Sequence, residues 1–192
     1  MLACSTRTQV IIGIVLALLM GVTRGYHVTP LEHLPSASWA VFFLAGVYVR
    51  SRWVFPALLA EAATLDFAAI TWGGVSDFCV SPAYGFLLPA YGTLWFAGHW
   101  YANHHRDAVT TLLPLTLSVL VGTAVCEVIS SGSFYFLSGR FEQTTVAQFA
   151  NNVTHYFPHS LLSLAFYVFI AGMIHAISCI PMVSFSRGKA TS

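Results

Sequence analysis

Long apolar runs separated by short polar connections fill this chain of 192 residues. Crossing a hydrocarbon core takes about 20 apolar residues in a helix, so the pattern predicts a membrane bundle of six spans. The predicted spans are about 8–23, 36–49, 54–72, 82–101, 110–137 and 156–180. We therefore expect an all-α, polytopic membrane protein in which residues 1–192 form a single transmembrane domain.

Three of these runs need comment. The second is short for a span, and the fifth is over-long, so we expect its tail at Ser130–Phe136 to break from the helix and cover the outer end of the bundle. The first run resembles a signal peptide. No small-residue cleavage pattern follows it before Arg24, which favours a retained first helix.

Composition excludes several classes of protein. The chain is 57% hydrophobic and 8% charged, whereas soluble domains carry about 25% charged residues. A net charge of +1 provides no basic face, so no nucleic-acid partner is expected. The sequence has no glycine-rich phosphate loop ending in Lys-Ser or Lys-Thr, and we predict no ATP site in this chain.

Basic residues are divided unequally between the two sides that six spans would create. The side with both termini carries Arg7, Arg50, Arg52, Arg106, Arg187 and Lys189, and the other side carries Arg24 and Arg140. The positive-inside rule then places both termini in the cytoplasm. The outward loops hold most of the polar chemistry, including His27, Asp77 and Cys79.

The cysteines are too scattered for a zinc framework, and no C-x-x-C motif occurs. Core packing is favoured for Cys126. Cys79 lies in a short, partly polar, outward loop, where it is either a buried loop cysteine, a disulfide partner of Cys126, or a ligand-binding thiol. A thiolate is a soft donor, and a single one can supply an axial bond to a metal that a macrocycle already holds.

Histidines and carboxylates each have two interpretations. His99, His104 and His105 form either a metal-binding loop or a solvated interfacial loop, and we favour the second. His27 faces the same side as Cys79, as a second axial donor or an interfacial histidine. Asp66, in the outer half of the third span, either accepts hydrogen bonds from a ligand or makes an interhelical bond.

Two further features concern helix contacts. Glu127 is expected to pair with Arg24 or Arg140 near the outer interface. Gly13, Ala17 and Gly21 form small-xxx-small steps on the first helix, which let another helix approach closely. That helix is either an internal neighbour, which we favour, or a separate coupling subunit.

The chain also resembles a known family. Its length, its six spans and the segment Leu34–Gly46 are similar to the S-components of energy-coupling-factor transporters. More specifically, Phe55–Glu61, the pair Leu65-Asp66, and Gly74–Tyr84 with its cysteine resemble the small, solitary BtuM-type cobalamin transporters.

This resemblance implies a protein of the bacterial inner membrane that binds cobalamin (vitamin B12) from the periplasm and carries it inward. Cys79 would be the axial cobalt ligand, and His27, Asp66 and Tyr84 would line the corrin. Hydroxyl groups of Ser76 and Ser81 would bond its rim amides. The thiolate would assist loss of cyanide from cyanocobalamin, and a shared energy-coupling module would dock through the first helix if one is needed.

Other functions fit the same residues. An S-component for another vitamin is the nearest rival, although a metal-free vitamin has no need of a thiolate. A haem-binding membrane subunit would use His27, His155 or His159. A purely structural subunit of a larger complex would bind no ligand at all.

Overall fold

The computed structural model describes residues 5–24, 35–72, 81–105 and 109–187, with side chains as far as residue 177. These ranges contain six α-helices and no strand, which confirms the all-α prediction. The helices are α1 (Thr6–Arg24), α2 (Ser38–Tyr48), α3 (Val54–Trp72), α4 (Leu87–His104), α5 (Leu112–Leu137) and α6 (Val146–Arg187). Short 3₁₀ helices, Pro82–Phe86 and Val109–Thr111, precede α4 and α5.

Four helices are long and apolar enough to cross a membrane: α1, α3, α5, and α6 over Val146–Ile177. Few of their residues are buried inside the protein, as expected for helices whose apolar side chains face lipid. The chain therefore has the character of a membrane protein. Six spans and cytoplasmic termini stay predictions.

The short helix α2 is the centre of the bundle. Nearly all of its residues are buried, and Phe42 and Phe43 have no exposed surface. It contacts α1, α3, α4 and α6. Because α2 is apolar on every side, it is stable only when other helices surround it. Phe42 stacks on Tyr91 of α4 with ring centroids 4.4 Å apart.

Two glycines let α2 and α4 touch backbone to backbone. A Cβ on Gly46 of α2 would collide with the carbonyl oxygen of Trp95, and a Cβ on Gly98 of α4 would collide with that of Phe43. Such reciprocal contacts are typical of membrane helices held by close packing. We call this contact the glycine crossing, defined by Gly46 and Gly98.

The expected break in the fifth span was wrong. The helix α5 continues to Leu137, and Ser133 and Tyr135 are buried in it. The hydroxyl of Ser133 donates to the Ser130 carbonyl at 3.0 Å, so the polar run is satisfied within the helix. α6 begins at Val146, earlier than predicted, and packs Phe149 against Tyr135 with ring centroids 6.0 Å apart.

Candidate functional site

An ion pair joins α1 to α3 at one end of the bundle. Arg24 Nε donates to Asp66 Oδ1 and Arg24 Nη2 donates to Asp66 Oδ2, both at 2.6 Å. The side chains are 14% and 26% exposed, respectively. Two parallel, charge-assisted hydrogen bonds fix both the distance and the orientation of a pair. The last residue of α1 is therefore held firmly against α3.

The same guanidinium also binds α2 and α4. Arg24 Nη1 donates to Ser38 Oγ at 2.9 Å and to Tyr91 Oη at 3.0 Å. Ser38 and Tyr91 are both buried. Arg24 thus joins the end of α1 to three other helices. We call the region defined by Arg24, Ser38, Asp66, Tyr84 and Tyr91 the polar end.

Tyr84 adds the 3₁₀ helix that precedes α4. Its hydroxyl donates to Asp66 Oδ2 at 2.7 Å. Because an ionised carboxylate can only accept, the Tyr84 phenol is the donor of this bond. Pro82 stands at the first position of the 3₁₀ helix, where its missing N–H costs nothing.

The start of α2 is anchored beneath this cluster. The Ala37 N–H donates to Thr23 Oγ1 at 3.2 Å, and Tyr167 Oη of α6 donates to the Pro35 carbonyl at 2.5 Å. Because Tyr167 lies near the middle of α6, residues 146–166 of that helix continue past the start of α2. The first half of α6 and the end of α5, which pack on each other, therefore lie on the side of the polar end.

The predicted site residues fall into two groups. Asp66 and Tyr84 come together at the polar end. Ser81 lies three positions before Tyr84 in the chain. Its buried Oγ has no hydrogen-bond partner among the described residues. His27, Ser76 and Cys79 lie outside the described residues, so their placement as ligand contacts stays a prediction.

Asp66 already makes the interhelical bond that the sequence offered as one alternative. Its carboxylate accepts hydrogen bonds from Arg24 and Tyr84, and its role as a ligand contact stays a prediction. The predicted pairing of Arg24 with Glu127 was wrong. Glu127 is buried between α5 and α6, where it accepts hydrogen bonds from Ser131 at 2.5 Å and from Ser160 at 2.9 Å.

Cys126 is a free thiol in the core with no exposed surface, as core packing predicts. This removes the disulfide alternative for it. In the described ranges, no group of three or more His, Cys, Asp or Glu side chains gathers in a metal-binding arrangement.

The histidines occupy two different regions. His99 and His104 are exposed, but they lie in α4, so the predicted loop was wrong for these two residues. His105 is partly buried and faces His175 of α6 at the opposite end of α2 from Ser38. His155 and His159 are exposed on α6.

The first helix is only partly covered. A Cβ on Gly21 would lie 3.7 Å from Glu61 Oε1 of α3, so α3 is the close neighbour at this step. A Cβ on Gly13 would meet nothing within 4 Å. Around Gly13 an apolar groove of about 390 Å³ runs between α1 and α3, lined also by Ala17 and Ala57. The favoured internal neighbour is thus present at Gly21 and absent at Gly13 among the described residues.

Sequence reasoning missed Arg24, Ser38 and Tyr91 as members of this cluster. The signal that could have found the pair of Arg24 and Asp66 was the depth of the two residues in the predicted membrane spans. In the predicted topology, Arg24 ends an outward-running helix and Asp66 lies in the outer half of the next outward-running helix, which predicts similar depths for the two charges. An arginine and an aspartate at one level in a low-dielectric medium are expected to pair.

Models of known protein families give no match to this chain, and no curated protein matches it either.

Proposed function

We propose that this protein takes up cobalamin across the bacterial inner membrane, binding it at the polar end with Cys79 as an axial cobalt ligand. The observation that carries the proposal is the junction of Arg24, Asp66 and Tyr84. Arg24 precedes the segment that holds His27, and Asp66 and Tyr84 lie on either side of the segment that holds Cys79. The junction therefore brings the neighbours of both segments together.

Chain connectivity limits how far those two residues can lie from the junction. His27 follows Arg24 by three positions and Cys79 precedes Ser81 by two. At 3.8 Å between successive Cα atoms, these steps span at most about 11 Å and about 8 Å. These short distances along the chain support the proposal that both donors lie near the polar end.

The polar end also offers groups suited to a corrin. A corrin carries amides at its rim that need hydrogen-bond partners. The unpartnered hydroxyl of Ser81 is the described group best placed in the chain to supply one, and Ser76 is the predicted second. Asp66 would act by holding Arg24 and Tyr84 in place, so that the site is ordered before the ligand arrives.

The chemistry at cobalt is a ligand exchange. The Cys79 thiolate would displace the lower base, form an Sγ–Co bond and donate electron density along the axis. The opposite Co–C bond would weaken and break, and cyanide would leave with the bonding electron pair and take a proton from water. No electron is gained or lost in this exchange, so decyanation in this form requires no reductant.

An energy-coupling module, if one is used, would pack on α1. The exposed groove beside Gly13 and Ala17 supports that location, because small residues let a partner helix approach closely. Movement without a module, by tilting of the whole bundle, is the alternative, and the groove would then face lipid.

The test is the visible spectrum of cyanocobalamin mixed with the purified protein. We expect the wild-type protein to shift the absorption bands and Cys79→Ala to leave them unchanged. Cys126→Ala is the matched control, since it removes a thiol from the core and is expected to behave as wild type. Growth of a strain that lacks its own cobalamin importer should follow the same order.

Identical spectra for wild type and Cys79→Ala would overturn the cobalt assignment. A Soret band in protein purified without corrinoid would favour a haem subunit instead. Binding of a metal-free vitamin with no spectral change of cobalamin would favour the rival S-component function.

A further inference from the structure

A second apolar groove, of about 600 Å³, runs between α4 and α5. Its floor is a close contact between small residues, since a Cβ on Gly122 of α5 would lie 2.8 Å from the Ala97 Cβ of α4. Its rim consists of large apolar side chains that are well exposed, namely Phe96, Trp100, Leu117 and Val121. We call the region defined by these six residues the α4–α5 groove.

The hydroxyl groups that line this groove are bonded within their own helices. Thr93 Oγ1 donates to the Ala90 carbonyl at 2.7 Å, and Ser118 Oγ donates to the Leu115 carbonyl at 2.9 Å. Neither hydroxyl proton is therefore left for a ligand. The rest of the described lining is apolar, so the groove is suited to hydrocarbon.

The shape of the rim favours a flexible chain over a helix. Membrane helices approach one another closely where small residues lie on their surfaces. Here the small residues Ala97 and Gly122 already face each other across the floor, and the bulky side chains of the rim would hold a partner helix away. An acyl chain can bend between such side chains.

The length of the groove matches one leaflet of a bilayer. From Leu117 to Val125 it follows α5 for about 12 Å, at 1.5 Å per residue, and half of a hydrocarbon core is about 15 Å. Trp100 lies at the same end as Leu117 and stacks on His104, the last residue of α4, with ring centroids 4.4 Å apart. Tryptophan is enriched at membrane interfaces, so Trp100 marks the entrance of the groove.

Basic side chains lie at this end of α4. Arg50 lines a small cavity together with His99 and Asn103 of α4, and both Arg50 and Arg52 are exposed. The stretch 35–60 that contains them has no Asp or Glu. Arginine and lysine side chains beside membrane helices attract anionic lipid headgroups.

We propose that the α4–α5 groove binds one acyl chain of an anionic phospholipid, whose headgroup lies at Trp100, near Arg50 and Arg52. The site uses no residue of the polar end and does not depend on the proposed cobalamin function. A lipid held there contacts α4 and α5 together, and it should stabilise the folded protein because it binds only that state.

The experiment is native mass spectrometry of the purified full chain with added phosphatidylglycerol or phosphatidylcholine of identical acyl chains. We expect one phosphatidylglycerol to bind per chain, at least tenfold more tightly than phosphatidylcholine, and to raise Tm. Val121→Trp and Leu117→Trp fill the groove, and each should weaken phosphatidylglycerol binding at least tenfold. Arg50→Gln/Arg52→Gln should weaken it to the level of phosphatidylcholine.

Val15→Trp is the matched control, because it makes the same change on α1 at a similar exposure, 56% for Val15 and 59% for Val121. It should bind phosphatidylglycerol as the parent does. Unchanged binding in both Val121→Trp and Leu117→Trp would overturn the proposal. Equal binding of the two lipids by the parent would overturn the anionic headgroup, and a parent dimer that Val121→Trp dissociates would show that a second copy occupies the groove instead.

Discussion

The contact between α2 and α4 and the contact between α1 and α3 are built on opposite principles. At the glycine crossing, the backbones of α2 and α4 are in direct contact. Between α1 and α3, one ion pair holds the polar end, and an open groove of about 390 Å³ separates the helices beside Gly13. One contact is direct backbone packing, and the other combines an ion pair at one end with a groove beside Gly13.

The difference shows how a membrane protein can combine a closely packed centre, at α2 and α4, with a less closely packed outer helix, α1. Lipid is as apolar as the protein interior, so burying apolar side chains between membrane helices gains little free energy. Close packing and polar bonds therefore decide which helices stay together. The glycine crossing provides the packing that fixes α2 and α4. The ion pair provides a directional bond at the end of α1, while the groove leaves the part of that helix around Gly13 uncovered.

Breaking the ion pair should have the largest effect. Arg24→Met leaves the Asp66 carboxylate partly buried without its cation, and we expect a loss of about 3 kcal/mol of stability. Unfolding in detergent, followed by circular dichroism, would measure it. Arg24→Met/Asp66→Asn should recover at least half of the loss, because the remaining partner is then neutral.

Arg52→Met is the control for that variant, since Arg52 is exposed and its replacement should be nearly neutral. Equal stability of Arg24→Met and Arg52→Met would show that the ion pair does not hold α1 against α3. The comparison with the glycine crossing would then be wrong.

A methyl group at the glycine crossing should have the next largest effect. Gly98→Ala places a Cβ against the Phe43 carbonyl, and overpacking of this kind costs about 1–3 kcal/mol. For a chain of this size, each kcal/mol lowers Tm by about 2–4 °C. Gly172→Ala adds the same group where nothing lies within 4 Å and should leave Tm unchanged or slightly higher. Equal Tm values for the two variants would show that the crossing is loose.

Removal of the Tyr84 hydroxyl should have the smallest effect of the three. Tyr84→Phe deletes one hydrogen bond to Asp66 and should cost about 1 kcal/mol, because both bonds from Arg24 remain. Thermal unfolding of Tyr84→Phe beside Tyr156→Phe, whose ring is exposed on α6, would isolate this contribution. A loss as large as that of Arg24→Met would mean that Tyr84, and not the arginine, is the main support of Asp66.

The apolar pattern was enough to locate the six helices, although it placed the start of α6 ten residues too late. The predicted bounds 54–72 agree with α3 at both ends. The end of the fifth span was mispredicted because Ser130–Ser133 look like a loop in sequence. In the structure, these residues lie in α5, with the Ser133 hydroxyl bonded to a carbonyl of its own helix.

The polar contacts were harder to predict, since they depend on which helices are neighbours. Asp66 and Tyr84 were singled out as ligand contacts, which stays a prediction. Their common partner, Arg24, was expected to pair with Glu127, for which Arg140 was the alternative. The Glu127 carboxylate faces α6, a fact of helix arrangement that no local pattern records. His105 and His175 are 70 positions apart in sequence, and their contact likewise follows from the way α4 and α6 pack.

The uninterrupted length of α6 has a mechanical consequence. At 1.5 Å per residue, its 42 residues make a rod of about 63 Å, roughly twice the thickness of a hydrocarbon core of about 30 Å. Tyr167 of α6 is hydrogen-bonded to Pro35, just before α2. His175 of α6 lies against Tyr48, the last residue of α2. Any tilt of α6 would therefore displace both attachment points together.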